Sequence, residues 1–215
     1  MNQTVYLSAP AKVNLFLRVL HPRADGFHEL ETLFQAIDYC DEVLVELNDF
    51  GQVSLEVKGL ETGPVKENLA YRAASAYRDA AGLHEGIHVG LTKHIPAGAG
   101  LGGGSSDAAA VLRGLDYLTE GILDTEALSK IASNIGSDVP FFLCDSTTAL
   151  AHGRGEMLEP IQPLEEYALL LVLPPVHVST REAYEMLGRS SDDYEHHTGR
   201  SLIKERRDWD TIISS

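Results

Sequence analysis

"IPAGAGLGGGSSDAAAVL", residues 95–112, constrains the fold of this chain more than any other stretch. Five glycines and two serines fall within the nine residues 98–106, and an alanine-rich helical pattern follows at once. The first turn of a helix carries N–H groups without an intrahelical acceptor and a partial positive charge. Glycines tolerate positive φ and let an anion come close to the main chain. Together these make a cradle for a phosphate group. Three other uses of such a stretch compete with that one. A helix cap needs one glycine, not five. Gly98, Gly100 and Gly103 do satisfy G-x-G-x-x-G. A dinucleotide fold, however, needs a compact βαβ unit with an acidic residue about 20 positions on, and this chain has the turn-and-helix stretch "DYLTEGILDTEALS" there. A Walker loop needs Gly-Lys-Ser/Thr, which does not follow. What stands is a nucleotide-phosphate loop of another kind, with serines in place of the lysine. Pro96, Gly98, Gly100, Leu101, Gly102, Gly103, Gly104, Ser105 and Ser106 are the residues expected to hold the nucleotide.

The pattern around the loop is mixed. "TVYLSAPAKVNLFLRVL" alternates and predicts one or two strands, and "HPRADGFHEL" predicts a polar loop. "EVLVEL" and "VSLEVKGL", joined by "NDFGQ", carry a hairpin signal. Residues 67–81 have an apolar helical face closed by Gly82. "GIHVGLTKHIPAG" predicts a strand entering the glycine loop, and helices are expected over 105–118 and 125–134. "TTALAHGRGEMLEPI" predicts two strands around a Gly153-Arg154-Gly155 turn, "YALLLVLPP" a buried strand, and "STREAYEML" a short capped helix. Strands first, then helices with strands between them, predict an α+β fold.

Composition excludes some roles. A formal charge of −15 over 215 residues opposes nucleic-acid binding across a broad basic face, while leaving room for a locally basic pocket. Cys40 and Cys144 are far apart and form no ligand spacing, so a reducing cytoplasm is the expected compartment. The N-terminus lacks the pattern of a secretory signal, and the longest apolar run is too short to span a bilayer. His94, His152, His177, His196 and His197 show no metal-ligand pattern. Nothing in the sequence sets the oligomeric state, and a homodimer is compatible with it.

Two residues outside the loop carry chemistry. Asp138, in "NIGSDVPFF", lies between Gly136 and Pro140 beside an apolar run. A carboxylate there is costly to bury unless paired; the bland alternative is a turn aspartate bonded to nearby backbone. Lys12, in "APAKVNLFL", sits between apolar residues on an expected strand. It is either an edge-strand lysine that discourages aggregation or the partner of Asp138, holding the acid ionised and steadying a transferring phosphoryl group. Asn14, two residues on, shares its strand face and is a candidate substrate ligand.

The motifs "APAKVNLFLRV", "DGFHELETLFQAI", "PAGAGLGGGSSDAAA", "IGSDVPFFL", "ALAHGRGE" and "VSTREAY" occur in this order. In this order they resemble the GHMP kinase superfamily, over about residues 5–187. The resemblance implies an N-terminal ATP-binding domain over 1–160 and an incomplete C-terminal α+β domain over 161–215. It implies ATP as co-substrate, with Mg²⁺ accompanying it and needing no all-protein cage. The implied reaction is phosphorylation of the 2-hydroxyl of 4-diphosphocytidyl-2-C-methyl-D-erythritol in the non-mevalonate route to isoprenoid precursors. The implied partner is thus a small molecule carrying cytidine diphosphate. By resemblance Asp138 is the general base, and Lys12 and Asn14 belong to the substrate pocket. Phe27, His28, Phe34, Thr180 and Tyr184 are the candidates for holding the cytidine. Phe27 stands where the family usually has tyrosine, which keeps ring stacking and removes a hydroxyl. The late Gly/Ser-rich loop of the family is not found after Tyr184, so residues 161–215 are expected to be a truncated or divergent start of the second domain. A sister kinase acting on a mevalonate- or homoserine-like alcohol and a non-catalytic ATP-binding relative are the alternatives.

Overall fold

A computed structural model of the chain describes residues 3–163 and 168–174, together with 183 and 186. The spine of the fold is a 21-residue strand. β1 (Gln3–Pro22) and β2 (His28–Asn48) form a long antiparallel pair, with register shifts at Pro10/Ala11, Asn14/Phe16 and Val19/Pro22. The expected polar loop therefore shrinks to residues 23–27. On its other edge β2 pairs with two strands placed end to end. β4 (Gly86–Lys93) covers Glu42–Asn48, and β5 (Thr148–Gly153) covers Leu30–Gln35. Residues 36–41 of β2 lie between those two ladders, and the glycine loop leaves β4 at this break.

β3 (Val53–Gly59) does not form the expected hairpin with β2. It pairs in parallel with β4, which lies between the two. The turn chemistry is nonetheless present: the Phe50 amide donates to Asn48 Oδ1 at 3.0 Å, and Gly51 has φ +67°. Parallel pairing requires a crossover, and α1 (Leu69–Ala81) supplies it. That helix is capped by Asn68, which accepts from the Ala70 amide, and stops at Gly82 in the left-handed region. β6 (Met157–Pro160) completes the sheet beside β5, with the expected turn through Gly153 and Gly155 at φ +72° and +110°.

The helices α1, α2 (Gly103–Leu118), α3 (Thr125–Ile135) and α4 (Val139–Leu143) share one apolar core with the sheet. Val43 and Val45 of β2 and Ile87, Val89 and Leu91 of β4 meet Ala70, Ala73, Ala74 and Tyr77 of α1 and the small residues of α2. The five-residue α4 was not anticipated from "DVPFFL". Pro140 sits in its first turn, where no N–H is required. "YALLLVLPP" is corrected: residues 168–174 form no strand, and Leu170 and Val172 are exposed. No strand pairs with that run among the described residues, and only Leu171 packs, beside Ala11, Ile95 and Leu101. Of the expected helix over 179–187 only Ala183 and Met186 are described, and both are helical. No helix among the described residues is long and apolar enough to cross a membrane.

α2 lies close over the sheet because Gly114 has no side chain. A Cβ there would stand 2.9 Å from Val45 Cγ2 and 3.0 Å from Leu7 Cδ1. Alanine would gain up to about 1 kcal/mol of helix propensity, but overpacking a tight core costs about 1–3 kcal/mol. Gly114→Val, with more bulk and less propensity gain, is expected to destabilise the fold by about 1–3 kcal/mol, read as a lower midpoint in denaturant at unchanged slope.

Candidate active site

The loop between β4 and α2 is pinned at both ends and arches outward in the middle. Ile95 and Leu101 are buried with Ala11, while residues 97–100 are exposed and Pro96 is half-buried. Gly98, Gly100 and Gly102 all have φ near +70°. α2 begins at Gly103, two residues earlier than the pattern placed it, and its first bond runs from the Ser106 amide to Gly102 O at 2.9 Å. The amides of Gly103, Gly104 and Ser105 thus precede that first bond and are left for a ligand. Gly102 is required twice over. Its φ is +69°, and a Cβ would meet Lys12 Cγ at 3.0 Å and the Phe142 ring at 3.1 Å.

Ser106 does not belong with the nucleotide donors. Its amide is committed to Gly102, and its hydroxyl is buried without a partner on the wall of a crevice of about 340 Å³ that also touches Ser8 and Arg113. Helical phase turns it inward, whereas Gly104 is exposed and Ser105 half-buried.

β1 brings Lys12 to the loop. The Lys12 amide donates to Leu101 O at 2.8 Å, and the lysine stem packs where a Gly102 side chain would stand. Lys12 Nζ lies 3.7 Å from Asp138 Oδ2 and 4.9 Å from the centre of the Phe34 ring. It is 6% exposed, which rules out an edge-strand role. Burial pushes its pKa below the ordinary lysine value, and Asp138 pulls it back up. Asp138 precedes α4 but makes no side-chain cap to it, so the turn-aspartate reading fails as well. Its side chain keeps 27% exposure. Gly155, in the β5–β6 turn, comes close above it: a Cβ there would lie 3.8 Å from Asp138 Oδ1 and 3.3 Å from Phe34.

Asn14 turns toward Lys12. Its Oδ1 accepts from Lys12 Nζ at 2.8 Å, and its Nδ2 donates to Thr32 Oγ1 at 2.7 Å. Thr32 in turn donates to Phe16 O at 2.6 Å. This relay fixes the lysine head. Phe34 is corrected from a stacking candidate to a core residue: it is 2% exposed, packed on Phe141 with ring centres 5.1 Å apart. Phe27 is 52% exposed, with the Arg154 guanidinium 5.1 Å from its ring centre. His28 opens β2 beside it, half-buried. The β5–β6 turn thus joins the two parts of the site, Arg154 at Phe27 and Gly155 at Asp138. Thr180 and Tyr184 lie outside the described residues.

Sequence reasoning passed over Asp41 and Lys93. Lys93 Nζ bonds Asp41 Oδ2 and, at 2.8 Å, Asp107 Oδ2, all three side chains being at most 3% exposed. The signal was the period of two. Lys93 continues Ile87, Val89 and Leu91 on the inward face of β4, and Asp41 precedes Val43 and Val45 on that of β2. No group of three or more His, Cys, Asp or Glu among the described residues is placed to hold a metal ion.

Known proteins are similar to this chain in sequence and fold. The model of the GHMP kinases N terminal domain matches residues 68–146. The 4-diphosphocytidyl-2-C-methyl-D-erythritol kinase of Shewanella loihica is 43% identical over 183 residues, 85% of this chain and 64% of that protein. That of Geobacter metallireducens is 44% identical over 187 residues, 86% and 66%, and that of Pelobacter propionicus 42% over 191 residues, 88% and 67%. The chain therefore spans about two thirds of the length of these curated relatives, and slightly less for the first two. A crystal structure of 4-(cytidine 5'-diphospho)-2C-methyl-D-erythritol kinase superposes with TM-score 0.67 at 42% identity, over 84% of this chain and 63% of that one. Homoserine kinase from Cytophaga hutchinsonii shares the fold, with TM-score 0.56 at 21% identity over 85% and 59%.

Two loop glycines should separate by stability. Gly102→Ala forces a left-handed residue against Lys12 and Phe142 and is expected to cost about 1–2 kcal/mol. Gly104→Ala has only an ordinary contact, 3.6 Å from Leu69 Cδ1, and is expected to gain a few tenths to about 1 kcal/mol from helix propensity. Chemical denaturation of the two variants beside the parent reads both signs.

Proposed function

This chain belongs to the GHMP kinase family, and on that premise we propose that it transfers the γ-phosphoryl group of ATP to the 2-hydroxyl of 4-diphosphocytidyl-2-C-methyl-D-erythritol. The observation that carries the proposal is the Lys12–Asp138 pair, 3.7 Å apart beside the N-terminal end of α2. Phosphoryl transfer is chiefly positioning and charge stabilisation. The amides of Gly103, Gly104 and Ser105 and the arch over 97–100 receive the phosphates. Asp138, part exposed and free of its own helix, accepts the proton of the attacking hydroxyl. Lys12 pairs with that carboxylate and offsets the charge that grows on the transferred group. Asn14 acts through Lys12, holding its ammonium in place. Phe27 offers its free face to the cytosine and His28 the edge contact, while Arg154 backs the ring.

The residues fit a magnesium ion that rides on the phosphates, because such an ion takes most of its ligands from phosphate and water. When bound, it neutralises phosphate charge. Residues 1–160 act in this reading as the ATP-binding domain, and 161–215 begin a second one.

Asp138→Asn should lower kcat by about 10²–10⁴, the usual contribution of a general base, while nucleotide affinity in calorimetry stays near the parent value. Turnover within about tenfold of the parent would sink the assignment. Phe27→Ala should raise KM for the cytidylyl alcohol by about tenfold, in line with 1–3 kcal/mol for a stacked base, and leave KM for ATP unmoved. Indifference to that change would favour a substrate without a cytosine.

A further inference from the structure

Behind the glycine loop lies a buried cluster that the reaction does not use. Asp41 (0% exposed), Lys93 (3%) and Asp107 (1%) come from β2, β4 and α2. Asp41 has three donors: Lys93 Nζ on Oδ2, and the His94 and Ile95 amides on Oδ1 at 2.6 and 2.9 Å. Those two amides are the first of the loop, released where β4 ends. Lys93 also reaches Asp107, the fifth residue of α2, just beyond the end of the loop. A side chain at Gly103 would stand 3.2 Å from Lys93 Nζ. One carboxylate therefore grips the loop entrance, and one ammonium ties it to the loop exit.

The charges do not balance as drawn. Two carboxylates and one ammonium, all buried, leave one uncompensated negative charge, which a low-dielectric interior resists. The donors are unequally shared: Asp41 takes three, while Asp107 takes one and its Oδ1 is buried without a partner.

We propose that Asp41, Lys93 and Asp107 form a charge-neutral positioning brace for the glycine loop, with a proton on Asp107 in mildly acidic solution. Independent support comes from the electrostatics of Asp107. Burial drives its pKa up to about 7, Lys93 opposes the rise, and the neighbouring Asp41 adds to it. Among the described residues, Lys93 of β4 and Asp41 of β2 are the charged groups that act on it. α1, packed alongside, presents Ala70, Ala73, Ala74 and Tyr77, whose hydroxyl bonds Thr119 at the far end of α2. β1 contributes Ala9 to the same core. A neutral brace suits the place, since an extra negative charge behind the N-terminal end of α2 would repel an arriving phosphate. Only this last link, to nucleotide binding, rests on the function proposed above.

The test uses the whole chain and two variants. A carboxyl whose folded pKa is raised favours the fold below its ordinary value near 4 and loses that contribution as pH climbs through about 7. Between pH 5 and pH 8 the parent should therefore lose melting temperature relative to Asp107→Asn, which mimics the protonated acid, by about 4 °C or more. The infrared band of a buried protonated carboxyl should be present in the parent at pH 6 and missing in Asp107→Asn. Parallel melting curves, or no such band, overturn the proton assignment. Asp41→Asn should raise the Kd of a non-hydrolysable ATP analogue about tenfold or more, as loss of a charge-assisted grip on two amides requires, and leave that of the cytidylyl alcohol unchanged. An unaltered analogue affinity overturns the positioning role. Should the parent itself bind no nucleotide, the functional proposal fails, and the melting and infrared comparisons still decide the brace.

Discussion

A single backbone hydrogen bond, from the Lys12 amide to Leu101 O, joins the two halves of this site. It fastens the first strand to the exit of the glycine loop, across about ninety residues of chain. Without it the lysine stem would not lie against Gly102, and the ammonium would not reach Asp138. The bond is available because β1 is irregular there: the register shifts at Pro10/Ala11, and β2 has neither β4 nor β5 beside residues 36–41. A break in the sheet thus serves the site. It admits the loop where an unbroken ladder would have closed the space.

Small residues then decide how near the parts approach. Gly102 lets Lys12 and Phe142 close on the loop, Gly114 lets α2 lie on Val45 and Leu7, and Gly155 lets the β5–β6 turn come over Asp138 and Phe34. Each lost side chain costs local propensity and buys proximity between charged or aromatic groups that must act together. On the function proposed above, the arrangement also explains how a chain of charge −15 would offer a site for an anion. The cations are few but placed, with Lys12 at the loop and Arg154 over Phe27.

Legibility followed periodicity. α1 and the β5–β6 turn were readable because glycines mark them, Gly82, Gly153 and Gly155, whereas the caps Asn68 and Asp124 emerge only in the structure. The glycine loop and the pairing of Lys12 with Asp138 were readable because their residue types are costly without a partner. The hairpin between "EVLVEL" and "VSLEVKGL" misled for a physical reason. A good turn fixes local chain direction, but pairing is decided by which strand can fill the gap, and β4 returns from α1 to do so. Phe34 misled because an aromatic in a polar motif looks like a platform, while both faces of β2 are buried over residues 31–35 and Phe34 belongs to the core beneath Lys12. Thr32 was invisible, since its role is to hold Asn14, which holds Lys12.

The two charged clusters show opposite solutions to one problem. Lys12 and Asp138 form an ion pair that stays partly open, with Asp138 keeping 27% of its side-chain surface. That opening lowers the desolvation cost and leaves a carboxylate oxygen reachable. Asp41, Lys93 and Asp107 are shut away almost completely. A closed cluster gains geometric precision, because Asp41 and Lys93 are each held by more than one bond in a medium where every unmade bond is expensive. It cannot also carry unbalanced charge. Rigidity at the loop's two ends and reactivity at its mouth therefore need different burial, and β2 supplies both from one strand: Asp41 at the break between its two ladders, and Phe34 and Thr32 under the open pair.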